Sequence, residues 1–185
     1  MAERSRRRRE LVGDLVVIVP GMLGTRLATS SRTLWDPPAG DLWRGIEVFA
    51  AAVDDFHLPR DLGDGPATDG IMPLGLVADV HGLPGIWGAA AGYDDLTDWL
   101  LSAFTLTQAV DPDEPGNLVR FAYDWRLSAR YNARRLKTVV DEALGRWRDS
   151  LILRSGAQVR FICFSTGGLI TRYYVECLGG REVTR

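Results

Sequence analysis

Ser165 stands where an apolar run gives way to a helical pattern. Val159, Phe161, Ile162, Cys163 and Phe164 are nearly continuous, as expected of a parallel strand covered on both faces. Beyond the serine, Leu169, Ile170, Tyr173, Tyr174, Cys177 and Leu178 recur at helical spacing, and Gly179 and Gly180 supply a stop. A serine on a sharp strand-to-helix turn is a nucleophile elbow, usually Gly-x-Ser-x-Gly. Small neighbours let the strained backbone close, and the hydroxyl is presented above the sheet for attack on an acyl carbon. Gly167 fits this pattern, whereas Cys163 stands where the first glycine belongs. Its side chain is small, yet it adds bulk where crowding is worst.

Acyl transfer also needs N–H donors for the developing oxyanion. Leu15 to Val19 reads as a fully apolar strand ended by Pro20 and Gly21. The turn from Gly21 to Gly24 then leaves backbone N–H groups free at the carboxyl end of that strand, where open α/β sheets place their chemistry. The candidate donors are the N–H groups of Met22 and of Thr166, the residue after the serine. Alone, such a turn reads more readily as structural punctuation. Paired with the elbow, it reads as half of an oxyanion hole.

The elements that must position these groups follow from composition and periodicity. A chain of 185 residues, 46% apolar and 25% charged with 20 glycines, has the make-up of one α/β domain with a real core. Asn117 to Trp125 predicts a second strand, and Ala129 to Asp149 is the clearest helix. Its apolar Leu136, Val139, Val140, Ala143, Leu144 and Trp147 oppose a face rich in arginine. The turn from Arg154 to Gln158 leads into the elbow strand, so Asn117 to Ser165 forms a right-handed βαβ unit in a mostly parallel sheet. Residues 27–116 are weakly periodic and rich in glycine, proline and tryptophan, as in an inserted lid, with helical patches at Trp43 to Val53 and Tyr93 to Phe104. Its tryptophans Trp35, Trp43, Trp87 and Trp99 read as the lid's own small core or as the lining of an acyl-chain site. His57 and His81 also fall here and read as structural or surface histidines, because a catalytic base must reach Ser165.

The formal charge of −2 argues against a nucleic-acid footprint. Residues 1–13 nevertheless carry Arg4, Arg6, Arg7, Arg8 and Arg9, which read as a solvated, disordered tail or as a contact for an anionic surface. The apolar run from Leu11 to Pro20 is broken by Gly13 and Asp14 and lacks a small-residue cleavage site, and no segment is long enough to span a membrane, so the expected location is cytoplasmic. Cys163 and Cys177 read as small buried hydrophobes. No metal-ligand spacing stands out, and no cofactor is expected.

Four segments then carry a family resemblance. They are Ile18-Val-Pro-Gly-Met-Leu-Gly24, Asp79-Val-His-Gly-Leu-Pro-Gly-Ile-Trp87 with Gly92-Tyr-Asp94, Phe121-Ala-Tyr-Asp-Trp-Arg126, and Ser165-x-Gly-Gly-Leu169. In order and spacing they resemble the lecithin:cholesterol acyltransferase-like family, its bacterial members above all, over roughly Asp14 to Leu178. The resemblance implies an α/β-hydrolase fold with a lid, and phospholipid hydrolysis or acyl transfer through a serine acyl-enzyme. Ser165 matches the nucleophile, Met22 and Thr166 match the oxyanion donors, and Tyr123 to Arg126 match a signature with a structural role. The chain departs from the family at Cys163 and Phe164, where a small residue and a histidine usually precede the serine. It departs again at Ala122, where a proline is usual.

In this fold the triad runs Ser, then Asp or Glu, then His. The residues after Ser165 hold Glu176 and Glu182 but no aspartate and no histidine, so the family's acid and base have no counterpart and the domain over 14–185 reads as partial, cut after the elbow helix. Losing triad members in a serine protease removes on the order of 10⁴ to 10⁶ in turnover. Three expectations stand side by side. The chain carries the family's lipid or ester chemistry with little activity of its own, or it is completed by a second chain or an internal pair such as Asp124 with His81, or it is a non-catalytic module binding lipid or a partner. An unpaired elbow strand is also expected to favour self-association through its edge, and the basic tail to contact a membrane surface.

Overall fold

A computed structural model describes residues 9–37, 47, 50–51, 53–78, 92–109 and 113–185. In chain order its elements are β1 (Leu15–Val19), β2 (Thr25–Ala28), β3 (Thr33–Trp35), β4 (Met72–Leu76), α1 (Tyr93–Ala103), β5 (Leu118–Arg120), α2 (Ala129–Asp149), β6 (Val159–Cys163) and α3 (Thr166–Cys177). The fold class is mixed α/β, with one small parallel sheet and packed helices.

The parallel sheet has the order β5-β1-β6. All five residues of β1 are buried, which suits a central strand covered on both faces. Burying such aliphatic side chains contributes about 1.5–3 kcal/mol each before the entropy of ordering them is subtracted. The connection from β5 to β6 passes through α2 and crosses β1. Helix α2 starts at Ser128, whose hydroxyl accepts the Tyr131 N–H at 3.0 Å, and it buries Leu136, Val140, Ala143, Leu144 and Trp147. Its bounds are those the 3.6-residue period predicts.

Several expectations need correction. The strand read over Asn117 to Trp125 is pairing-competent only at Leu118–Arg120, with a last rung from Phe121 N–H to the Ile18 carbonyl at 2.9 Å. The chain then leaves the sheet because Tyr123 and Trp125 are anchored on Thr25 instead: Tyr123 N–H donates to Thr25 Oγ1, and the Trp125 indole donates to the Thr25 carbonyl. A second, antiparallel sheet of order β3-β2-β4 starts with β2, just before the region 27–116 read as a lid, and takes its other two strands from that region. The helical patch near Tyr93 is observed as α1. The patch from Trp43 to Val53 falls mostly outside the described residues, as do Asp79 to Trp87, His81, Trp43, Trp87 and residues 1–8. Trp35 is core, edge-on to Trp125, whereas Trp99 is exposed. Cys177 is exposed too, which corrects its reading as buried.

Strand β6 is covered less completely than the sequence pattern suggests. Phe161 to Phe164 are half-buried, because β6 has β1 on one side only. On the other side Val159 exchanges bonds with Val183 and Arg185 in a parallel bridge to Thr184. No helix among the described residues is long and apolar enough to cross a membrane.

Candidate active site

Strands β1 and β6 run parallel in register from Leu15 opposite Val159 to Val19 opposite Cys163. Whatever follows each strand therefore emerges at the same end of the sheet. After β6 comes Phe164, whose N–H bonds the Val19 carbonyl at 3.0 Å, and then Ser165. Ser165 has φ 46° and ψ −120°, a conformation that L-residues adopt only under constraint and that costs of order 1–3 kcal/mol. Helix α3 starts at the next residue, so the serine is exposed at the helix N-terminus. This is the geometry the elbow motif predicts.

Two contacts hold the strained turn. Gly167 lies so close to β1 that a Cβ there would overlap the Val19 carbonyl oxygen and come within 2.5 Å of that of Pro20. Cys163, in place of the usual first glycine, is accommodated by turning its thiol under α3, where it donates to Thr171 Oγ1 at 3.2 Å. Burial pushes that thiol's pKa up, against the opposing effect of Thr171, so Cys163 is held protonated and is no rival nucleophile. Phe164, in place of histidine, packs edge-on against Tyr93 with ring centroids 5.5 Å apart.

The turn after β1 lies against the elbow. A Cβ on Gly21 would sit 3.2 Å from that of Ser165. The turn closes through Gly24 N–H to the Gly21 carbonyl at 3.0 Å, with Leu23 at φ 65°. Leu23 and Ser165 are the two non-glycine residues of positive φ among the described residues, and they flank one spot. Backbone strain of this kind concentrates at functional sites. No hydrogen bond within the described residues uses the N–H of Met22 or of Thr166, and Thr166 is the first residue of α3, where N–H groups have no intrahelical partner. Both candidate donors are thus free at the serine's end of the sheet.

Three side chains that the sequence did not connect to this turn fix it. Tyr93 Oη accepts the Gly21 N–H at 3.0 Å, Tyr123 Oη donates to the Pro20 carbonyl at 3.0 Å, and the Trp35 indole donates to the Leu23 carbonyl at 2.7 Å. Turning Gly21 N–H toward Tyr93 leaves the N–H groups of Met22 and Leu23 as the turn's unspent donors. Burial raises the pKa of both tyrosines, and Tyr93 beside it raises Tyr123 further, so both stay neutral. The segment Gly92-Tyr-Asp94 was the available signal for Tyr93, although nothing in it gave the role.

The signature from Tyr123 to Arg126 is structural. Arg126 Nη2 meets Asp124 Oδ2 at 2.6 Å and Nη1 meets Asp69 Oδ2 at 2.7 Å; the Arg126 and Asp124 side chains are only 2% and 6% exposed. Asp124 is therefore paired with Arg126; His81, the other half of the internal pair, lies outside the described residues. His57 is exposed, and its Nδ1 contacts the Asp54 carbonyl at 3.2 Å. Among the described residues nothing hydrogen-bonds the Ser165 hydroxyl, and no cluster of histidine, cysteine or carboxylate is arranged to hold a metal.

Comparison with family models, curated proteins and solved structures finds no match to this chain.

The strain at Ser165 yields a measurable consequence. Ser165→Gly is expected to raise stability by about 1 kcal/mol, because glycine occupies positive φ without the Cβ penalty. For a chain of this size that is roughly 2–4 °C in Tm. Thermal unfolding would show it, and a drop in Tm would mean that the serine's conformation is not strained.

Proposed function

We propose that this chain carries the nucleophile and oxyanion donors of a serine acyl-transfer enzyme, an acyltransferase or (phospho)lipase of the lecithin:cholesterol acyltransferase-like type on an α/β-hydrolase fold. The observation that carries this reading is the backbone of Ser165, strained at the end of a parallel strand and at the start of a helix, with a second strained turn packed against it.

In this reading Ser165 Oγ attacks the ester carbonyl as its proton passes to a base. The carbonyl oxygen becomes an oxyanion that accepts from Met22 N–H and Thr166 N–H. Collapse expels the alcohol, which takes the proton, and leaves the acyl group on Ser165. Water then releases a fatty acid, or an alcohol acceptor carries the acyl group away. The base is a group outside the described residues, either His81 or one brought by another segment or chain. Met22, 55% exposed, and Leu169, 62% exposed, flank the serine and offer apolar contact to an acyl chain, which supports a lipid over a polar ester.

The test is hydrolysis of p-nitrophenyl esters of increasing chain length. The expected result is a slow release that rises with acyl length and is lost in Ser165→Ala. Release indifferent to chain length or to Ser165→Ala would sink the reading. A second reading, a non-catalytic module that binds lipid or a partner, is favoured by the commitment of Asp124 to Arg126. It expects no release at any chain length from the folded protein.

A further inference from the structure

At the opposite end of the sheet lies a feature that the acyl-transfer reading does not use. Between α2 and β6 the chain makes a 3₁₀ turn, Ile152–Arg154. Ile152 is 92% exposed and Leu153 97% exposed, with Leu151 exposed beside them. Single exposed aliphatics are ordinary, but adjacent ones projected this fully need an explanation.

The turn is built to hold them out. Arg154 N–H bonds the Leu151 carbonyl at 2.8 Å, Ser155 N–H the Ile152 carbonyl at 3.2 Å, and Ala157 N–H the Arg154 carbonyl at 2.9 Å. The Arg154 guanidinium lies 3.5 Å over the Trp147 ring and donates to Ser150 Oγ. Trp147 in turn donates to the Gly13 carbonyl at 2.7 Å, which ties the turn to the segment entering β1. In sequence the tip is flanked by Arg146, Arg148, Arg154 and Arg160 against Asp149 alone between residues 146 and 160, and Arg148 also donates to the Ala157 carbonyl at 2.9 Å. Asp14, the buried carboxylate at this end, is already neutralised by Arg160 at 2.7 Å and Arg185 at 3.3 Å.

We propose that the tip Leu151–Leu153 inserts into an anionic lipid bilayer, with the flanking arginines on the headgroups. An exposed aliphatic tip flanked in sequence by cations suits a membrane interface, where side chains enter the headgroup boundary and each nearby cation adds attraction. A protein interface would favour a flatter patch with aromatic anchors. Since β1 and β6 are parallel, this tip and Ser165 lie at opposite ends of a strand about 16 Å long. The tip tethers the protein and leaves the serine facing away from that bilayer, so the inference stands apart from the acyl-transfer reading.

The experiment is co-sedimentation with vesicles of phosphatidylglycerol and phosphatidylcholine, against vesicles of phosphatidylcholine alone. Wild type and Ser165→Ala are expected to bind the anionic vesicles alike, with binding weakened by salt. Ile152→Ser with Leu153→Ser should bind about tenfold more weakly or less, with unchanged circular dichroism, since two apolar side chains no longer leave water. In Leu153→Trp the added indole should be quenched by brominated acyl chains. Equal binding by the double variant, no binding by wild type, or an unquenched added indole would overturn the proposal. So would a lipid-free oligomer that the double variant dissociates, which would assign the tip to a second copy of the chain.

Discussion

Gly167→Ala is expected to destabilise the protein by about 3 kcal/mol or more, while Gly168→Ala, one residue on, leaves it unchanged or up to about 1 kcal/mol more stable. The contrast comes from where a Cβ would go. At Gly167 it would run into the Val19 and Pro20 carbonyl oxygens, whereas at Gly168 it meets nothing within 4 Å. The first obstacle is the backbone of β1, which is wholly buried and paired on both sides, so relief requires α3 to back away from the sheet. That movement would carry Thr166 N–H and Ser165 off the Gly21–Gly24 turn. Thermal unfolding is expected to show a fall of roughly 6–12 °C for Gly167→Ala, together with loss of any Ser165-dependent ester release. Equal Tm values for the two variants would show that α3 does not approach β1 as closely as described.

Arg126→Met is the second large effect, expected to cost about 3–5 kcal/mol, the range for removing one partner of a buried ion pair. The loss arises because Asp124, almost wholly buried, would keep its charge without the guanidinium that faces it. Replacing both partners, as in Asp124→Leu with Arg126→Met, is expected to recover part of the loss, because no buried charge is then left alone. A pH signature accompanies it. Burial alone would raise the Asp69 carboxyl, but its bonds to Arg126 and to Ile71 N–H outweigh burial and hold it below the ordinary 3.8. A carboxylate depressed in the folded state stabilises above its unfolded pKa, and that stability is lost as pH falls through the folded value. Wild type should therefore lose stability below about pH 3.8 more steeply than Arg126→Met in denaturant titrations. Asp14 is also held low, by Arg160, Gln158 N–H and Arg185 against the effect of burial, and should leave the variant a residual acid slope.

The elements legible in the sequence were those with an unbroken period. The aliphatic run of Leu15–Val19 closed by Pro20, and the helical spacing of Ala129–Asp149, have the bounds observed. Ser165 and Gly167 were legible because an elbow demands those residue types at that spacing. The antiparallel sheet was not legible. Its strands are three to five residues long, β2 shifts register against both neighbours, and Pro73 and Gly75 interrupt the alternation in β4. Tyr93 was missed for another reason. It reaches Gly21 across 72 residues of sequence, and no local pattern encodes a hydrogen bond between a helix start and a distant turn. Asn117 to Trp125 was read too long because alternating apolar residues mark burial, and Tyr123 and Trp125 are buried by packing outside the sheet. Cys177 was misread because helical spacing alone does not say which flank of the apolar stripe stays in solvent.

The most direct measurement on the central claim is intact-mass labelling of the purified chain by a fluorophosphonate, with Ser165→Ala as control. The expected result on long incubation with excess probe is one adduct per chain on Ser165 and none on the variant. The rate should be low, because no base contacts the serine among the described residues. An adduct that persists in Ser165→Ala, or a folded wild-type protein that takes up none, would contradict the assignment of Ser165 as a nucleophile in a formed oxyanion site.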